Sequence, residues 1–432
     1  MPIRDIAVTL IIVGSLPFIL RRPYIGVLVW AWLSYMNPHR LTWGFAYDMP
    51  FAQIVAIVLL VSLVFSKEPK KIPIDGLLLT WIAFLFWMTI STAFALSEKN
   101  AMESYSITMK IQLLTFITMM CMTNQKRIDL LISVICLSIG FYSIKGGIFT
   151  LLTGGQFRVY GPPNSFIAEN NALALTTLMI LPLIYYLYTV SSNKWVRRGW
   201  LFGFIASSFS VLGSQSRGAF VAILALAGYF WMQSRGKIVS ALAILLFGMI
   251  AFSFMPQSWH DRMGTIQNYQ EDPSAMSRIA AWKYCIGVAN ERITGGGFMS
   301  YSIPNYARYS GQHVQRAFVA HSIYFSVLGA HGWLGLAMYL TILFLTLWNL
   351  RKINRQTKHE EHFRKYNVLS RMLTLSLIAY MSGGAFLSLS YFDLPWHVIA
   401  IAYLLKHQVA AELERAQPSG KTEQADPRPL PS

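Results

Sequence analysis

Apolar residues run along this chain in long blocks that show no polar face. The blocks cover residues 5–20, 23–36, 51–66, 76–96, 105–122, 128–152, 171–190, 198–213, 217–233, 237–255, 321–349, 370–391 and 393–407. A helix needs about 20 mostly apolar residues to cross the bilayer core, and a helix that is hydrophobic all round is buried in protein or lipid. The pattern therefore predicts an all-α polytopic membrane protein with about 12 transmembrane helices. It divides the chain into an N-terminal transmembrane bundle at 1–255, a large loop at 256–320, C-terminal transmembrane helices at 321–410 and a tail at 411–432. The tail is polar and ends in Pro-Leu-Pro-Ser, so it is expected to be disordered. Arg21-Arg22-Pro23 follows the first block where a secretory signal would carry small residues, so that block is expected to be retained.

Composition agrees with this reading. Of 432 residues, 54% are hydrophobic and 13% are charged, with a mean hydropathy of +0.44. Average soluble domains are about 25% charged, so a disordered chain is excluded and a soluble enzyme is not expected. Three cysteines exclude a disulfide scaffold.

Charge sets the expected topology. Lys and Arg gather at Lys67 to Lys71, Lys126-Arg127, Lys194 to Arg198, Arg235 to Lys237 and Arg351 to Lys365. Cytoplasmic loops collect such residues, so these connections are placed inside, and 37–50, 97–104, 153–170, 214–217 and 256–320 outside. Whether the N-terminus lies inside or outside depends on whether one or two spans precede Asn37, and the charges leave that open. The tail falls in the cytoplasm. The net charge of +17 is explained by these loops rather than by a basic soluble domain, so nucleic acid is no expected partner.

The outer loop at 256–320 runs against the charge rule. It carries Arg262, Arg278, Lys283, Arg292, Arg308 and Arg316 against Asp261, Glu271, Asp272 and Glu291. Connections of this length are usually functional and long enough for helices of their own. Guanidinium groups match phosphate oxygens in bidentate geometry and stay charged. Arg158, Arg217, Arg278, Arg308 and Arg316 are thus candidates to meet an anion, against the plainer alternative of pairing with lipid headgroups or loop acids. Arg217 sits in Gly213-Ser214-Gln215-Ser216-Arg217-Gly218, at a predicted helix start where anions are favoured; an interfacial snorkelling arginine is its alternative. Lys110 and Lys145 interrupt apolar blocks, and intramembrane charge is costly unless it serves a function; for Lys110 a place near a span end is the alternative. Lys145 precedes Gly146-Gly147 and is expected to turn into the bundle, where it would contribute to anion binding.

His321 stands where the outer loop re-enters the membrane, in Ala320-His321-Ser322-Ile323-Tyr324-Phe325. A histidine there fits a general base; a structural role is the alternative, and His313 and His331 lie too close in sequence for spacing to choose. Tyr324 is a candidate substrate contact. Glu169 opens an apolar helix, either as a cap or as the polar wall of a cavity. No Asp-x-Asp pair, P-loop or Gly-x-Gly-x-x-Gly fingerprint appears.

Ser277-Arg278, Trp282, Gly295-Gly296-Gly297 and His321-Ser322, in that order, resemble the core pattern of the O-antigen ligase and polymerase (Wzy-like) superfamily. Ser216-Arg217-Gly218 resembles the same superfamily's motif before its central spans. Leu16-Pro17-Phe18 to Pro38-His39-Arg40 and Arg158 to Asn171 look like the exosortase-associated O-glycosylation ligases. Ile293-Thr294 departs from the apolar-Pro pair usual before the glycine run. WaaL-type O-antigen ligases fit the pattern best.

The resemblance implies a GT-C-type glycosyltransferase of the bacterial inner membrane with a large helical periplasmic loop and a site facing the periplasm. It implies an undecaprenyl-diphosphate-linked glycan as donor, a lipid A-core sugar as acceptor, membrane lipid as surroundings, and no cofactor and no metal. Arg217 and Arg278 would hold the diphosphate and His321 would take the acceptor proton, with Arg158, Lys145, Glu169, Arg308, Arg316 and Tyr324 as further substrate contacts. An O-antigen polymerase and a protein O-oligosaccharyltransferase share this donor. From another class, a transporter or flippase of a lipid-linked anion would use a similar basic cavity.

Overall fold

The computed structural model describes residues 3–234, 236–254, 256–257, 259–260 and 273–416. Arg235, Asp261, Arg262, Glu271, Asp272 and the tail from 417 onward, all used in the arguments above, lie outside the described residues. Among the described residues there are helices and no strands. They are α1 (Ile3–Arg21), α2 (Pro23–Met36), α3 (Phe51–Phe65), α4 (Gly76–Ala93), α5 (Glu98–Cys121), α6 (Gln125–Leu152), α7 (Asn170–Val190) and α8 (Lys194–Gly213). There follow α9 (Arg217–Gln233), α10 (Lys237–Phe254), α11 (Pro273–Glu291), α12 (Ile303–Ser310), α13 (Ile323–Thr357), α14 (Arg364–Gly383) and α15 (Asp393–Ala416). Each apolar block of the sequence holds one helix, and α11 and α12 fall in the long connection, as its length implied.

The protein is an all-α polytopic membrane protein. By length and composition α1, α4, α6, α7, α13 and the stretch Glu361–Phe386 suffice to cross a membrane, and α2, α3 and Lys237–Leu246 are shorter apolar helices. Polar residues interrupt α5 and α8, at Lys110 and Gln112 in one and at Arg197-Arg198 in the other. Helix starts are fixed by side chains that accept otherwise orphaned N–H groups. Asp75 accepts from Leu78 (2.9 Å), Asn124 from Arg127 (3.1 Å), Ser216 from Ala219 (3.1 Å) and Ser322 from Phe325 (3.4 Å).

Contacts between connections sort them onto two ends of the bundle. At the lower end Arg127 pairs with Glu68 at 2.6 Å, Lys365 pairs with Asp129, and Lys406 pairs with Asp75 at 2.6 Å. At the upper end Leu96 N–H donates to Gly296 O (2.8 Å), Val159 N–H to Gly213 O (3.2 Å), and Asp393 accepts from Ser34. Each of these ion pairs and backbone bonds joins segments that the basic residues had placed on the same side. Asp5 accepts from Ala46 N–H at 2.9 Å and Arg4 lies over the Trp43 ring. So α1 starts at the upper end, beside 37–50, and α1 and α2 form a hairpin.

Two packing features position the upper end. The first is at Gly147, where a Cβ would lie 1.7 Å from the Ala206 carbonyl oxygen; α6 and α8 meet backbone to backbone there, as small residues allow in lipid. The second is a break in α13 at Gly332 (φ 67, ψ −173). The glycine run docks into it, with Gly296 N–H donating to Gly329 O (2.8 Å) and Gly297 N–H to Ala330 O (2.9 Å). Backbone freed inside a membrane must be re-satisfied this way. Ile293, at the position that departs from the family pattern, turns its carbonyl to Gly332, 2.3 Å from where a Cβ would stand. In the long connection, α11 and α12 build a small core of their own around Tyr284 and Tyr306, stacked at 4.6 Å.

Candidate functional site

The site forms where three parts of the upper end meet. The first is the turn between α8 and α9. Asn170 Nδ2 donates to Ser214 O (2.7 Å) and Gln215 Nε2 donates to Gly155 O (3.0 Å). These bonds fasten the 153–170 connection across the turn and hold Gln215 in the left-handed region at φ 53. Arg217, the first residue of α9, follows at once and is half-buried. It occupies the positive end of the helix, where unpaired N–H groups favour anions.

The second part is α11. Arg278 and Trp282 are one turn apart and share a face. Trp282 stacks on Phe325 (centroids 4.7 Å, planes 11° apart), and its Nε1–H donates to Ala320 O at 2.8 Å. This ties the approach to α13 against α11. The third part is that approach. His321 is a half-buried residue with φ 44. A non-glycine residue in this region is strained, and such residues cluster at functional sites.

Electrostatics tie the parts together. Burial lowers the pKa of His321 below its usual value, the Arg278 charge lowers it further, and the Glu169 charge opposes both. His321 thus shares one field with a cation from α11 and a carboxylate from the end of the 153–170 connection. A neutral imidazole can take a proton, and lowering the pKa keeps it neutral. Val319 and Ser326, on either side of His321 in sequence, line a mostly apolar cavity of about 280 Å³ with Phe298 and Tyr391; His321 itself is not in its wall.

The histidines are now distinguishable. His331 is fully buried, with Nδ1 at 2.5 Å from Ser91 Oγ and Phe84, Phe298 and Tyr391 around its ring. It is part of the packing at the break in α13. His313 is exposed.

The remaining candidates are placed less centrally. Arg158 is exposed on the connection that carries Glu169. Arg308 and Arg316 are exposed and lie over Tyr309 and Phe318 at 5.1 and 5.0 Å. Tyr324 donates its hydroxyl to Met381 O at 2.7 Å, so that group anchors α13 to α14. Lys145 is exposed rather than turned into the bundle, because the Gly146-Gly147 face of α6 takes the contact with α8. Trp282 is the positioning residue that sequence reasoning passed over as a motif letter; its spacing of four from Arg278 was the available signal. Among the described residues no group of three or more His, Cys, Asp or Glu is gathered to hold a metal ion.

This is a polytopic membrane protein whose upper end brings a half-buried histidine into the field of an arginine and a carboxylate. Residues 202–340 match the O-antigen ligase family, and residues 3–192 match a family of unknown function (DUF5935). No curated protein matches the chain. The chain carries an O-antigen ligase domain, and its resemblance to the O-antigen ligase and Wzy-like superfamily is thereby supported. The function is of the ligase or polymerase type in O-antigen processing, and the enzyme is glycosyltransferase-like. That domain contains Arg217, Arg278, Arg308, Arg316, His321 and Tyr324, whereas Lys145, Arg158 and Glu169 come from the other matched stretch. The field around His321 is built from both.

Proposed function

We propose that this chain is an O-antigen ligase that transfers a glycan from undecaprenyl diphosphate to a lipid A-core sugar, at the periplasmic face of the bacterial inner membrane. The observation that carries the reading is the meeting of Arg278, Glu169 and His321 beside the helix start of Arg217, within an O-antigen ligase domain. His321 takes the proton of the acceptor hydroxyl. The oxygen attacks the anomeric carbon from the side opposite the diphosphate, and the bond to the diphosphate breaks. Undecaprenyl diphosphate leaves with the electron pair, and Arg217 and Arg278 stabilise its charge. Attack from the opposite side inverts the anomeric centre, and the arginines supply the positive charge without a metal. The upper end is then periplasmic. Glu169 favours the protonated imidazole once it has formed.

The test is transfer by purified protein in detergent, given undecaprenyl-diphosphate glycan and lipid A-core, with and without EDTA. A lipopolysaccharide band that survives EDTA is expected. His321→Ala should lower the rate by about 10²–10⁴, the usual contribution of a general base, and Arg217→Ala should also lose transfer. Full activity in both variants at normal expression would falsify the mechanism. Donor alone, and donor with a protein acceptor, distinguish polymerisation and protein glycosylation.

A further inference from the structure

A larger cavity of about 610 Å³ opens at the upper end and adjoins the one lined by Val319 and Ser326, with Ile107 and Phe166 lining both. Its volume lies within the range of ordinary small-ligand pockets, about 300–1,000 Å³. Its walls come from the end of α2 and the turn after it, from α5, from the 153–170 connection and from the start of α15. Lys110 lines it about three turns into α5. Among the described residues Lys110 has no ion-pair partner, whereas Arg40, on the same wall, is paired with Asp48 at 3.2 Å. Lys110 is exposed between the apolar side chains of Ile107 and Ile111 on the cavity wall, so its ammonium is open to whatever enters there.

The other side chains favour hydroxyls. Asp393 is 3% exposed, and its carboxylate, fixed by the Ser34 hydroxyl, borders the cavity. Asn37 and Asn164 add amides, which both donate and accept. Phe166 offers an aromatic face beside Phe392, with centroids 5.6 Å apart. A site for a bare anion has no use for a buried carboxylate, and a site for a neutral sugar has no use for an unpaired lysine.

We propose that this cavity binds a sugar carrying an anionic substituent, phosphate or carboxylate, with the anion on Lys110 and ring hydroxyls on Asp393 and the two asparagines. On the transfer reading, this sugar is the part of a glycan that lies beyond the reacting group. Phe166 borders both cavities, and its connection carries Glu169 to His321.

The experiment measures acetylation of Lys110 by an amine-reactive ester, read by mass spectrometry, on the full-length protein in phosphatidylcholine nanodiscs. Glucose 6-phosphate is expected to protect Lys110, and glucose or inorganic phosphate at the same concentration is expected to protect it far less. By calorimetry, Lys110→Gln should weaken glucose 6-phosphate binding about tenfold or more, the scale of one charge-assisted hydrogen bond. Equal protection by inorganic phosphate overturns the sugar assignment. Protection by added phosphatidylglycerol, with no further effect of glucose 6-phosphate, assigns the lysine to a lipid headgroup and also overturns it. No protection at any millimolar concentration removes the site. The His321→Ala protein should show the same protection, because binding does not need transfer. Protection in a protein that transfers nothing would keep this site while removing the ligase reading.

Discussion

The link from Trp282 to the loop before His321 gives a quantitative test of the site. Trp282→Phe keeps an aromatic ring against Phe325 but removes the Nε1–H that bonds Ala320 O at 2.8 Å. Ala320 is fully buried, so its carbonyl is left without that donor. A buried polar group left unpaired costs about 1–3 kcal/mol. The cost falls on the residue next to His321, whose left-handed backbone needs support from its surroundings. If the loop relaxes to escape that cost, the correctly placed imidazole becomes the minor state. At about 1.4 kcal/mol per tenfold, transfer slows roughly fivefold to a hundredfold. Trp282→Ala also removes the stacked pair, worth about 0.5–1.5 kcal/mol more, and should be slower still. The assay is the initial rate of glycan transfer, with the melting temperature in detergent measured alongside and the pH profile recorded. A change in the position of the acid limb would show that His321 has moved relative to Arg278, which a purely structural role of Trp282 does not predict. Wild-type rates and profiles in both variants would refute the reasoning.

Two further predictions follow from the same geometry. If neutral His321 is the base, the rate falls as pH drops through its lowered pKa. Arg278→Gln removes a charge that lowers this pKa, so the acid limb should move to higher pH. Glu169→Gln removes the opposing charge and should move it to lower pH; profiles normalised to their own maxima check the signs, and an unmoved limb in both variants counts against His321 as the base. Gly147→Ala puts a methyl 1.7 Å from the Ala206 carbonyl oxygen, so α6 and α8 must separate. A loss of at least about 1–3 kcal/mol is expected, read as a lower melting temperature in detergent, whereas Gly14→Ala, which meets open space, should be tolerated far better.

Much of this molecule is legible from the one-dimensional pattern. Continuous apolar blocks can be satisfied only by helices in lipid, so the positions of α1 to α10 and α13 to α15 follow from hydrophobicity alone. The errors lie at their ends. α5 begins at Glu98 and not at 105, because its first turns are polar yet still helical. The block at 370–391 stops being α-helical at Gly383, where α14 meets α7 and α9 closely. Alternating basic clusters separated the two ends of the bundle, since connections on one side of a membrane share a charge bias. Arg217, Arg278 and His321 were visible as polar residues at the edges of apolar blocks.

Tertiary structure decided what spacing does not encode. Glu169 and His321 lie far apart in sequence, and only the fastening of the 153–170 connection to the α8–α9 turn, with α11 held against the start of α13, brings their charges into one field. The same packing removed His331 from consideration by enclosing it, turned Lys145 outward because the neighbouring glycines take the helix contact, and placed the start of α1 at the upper end through Asp5 and Ala46. Hydrophobicity is additive along the chain, so sequence determines which segments enter the membrane. A site depends on direction and distance between side chains, which exist only once the helices have packed.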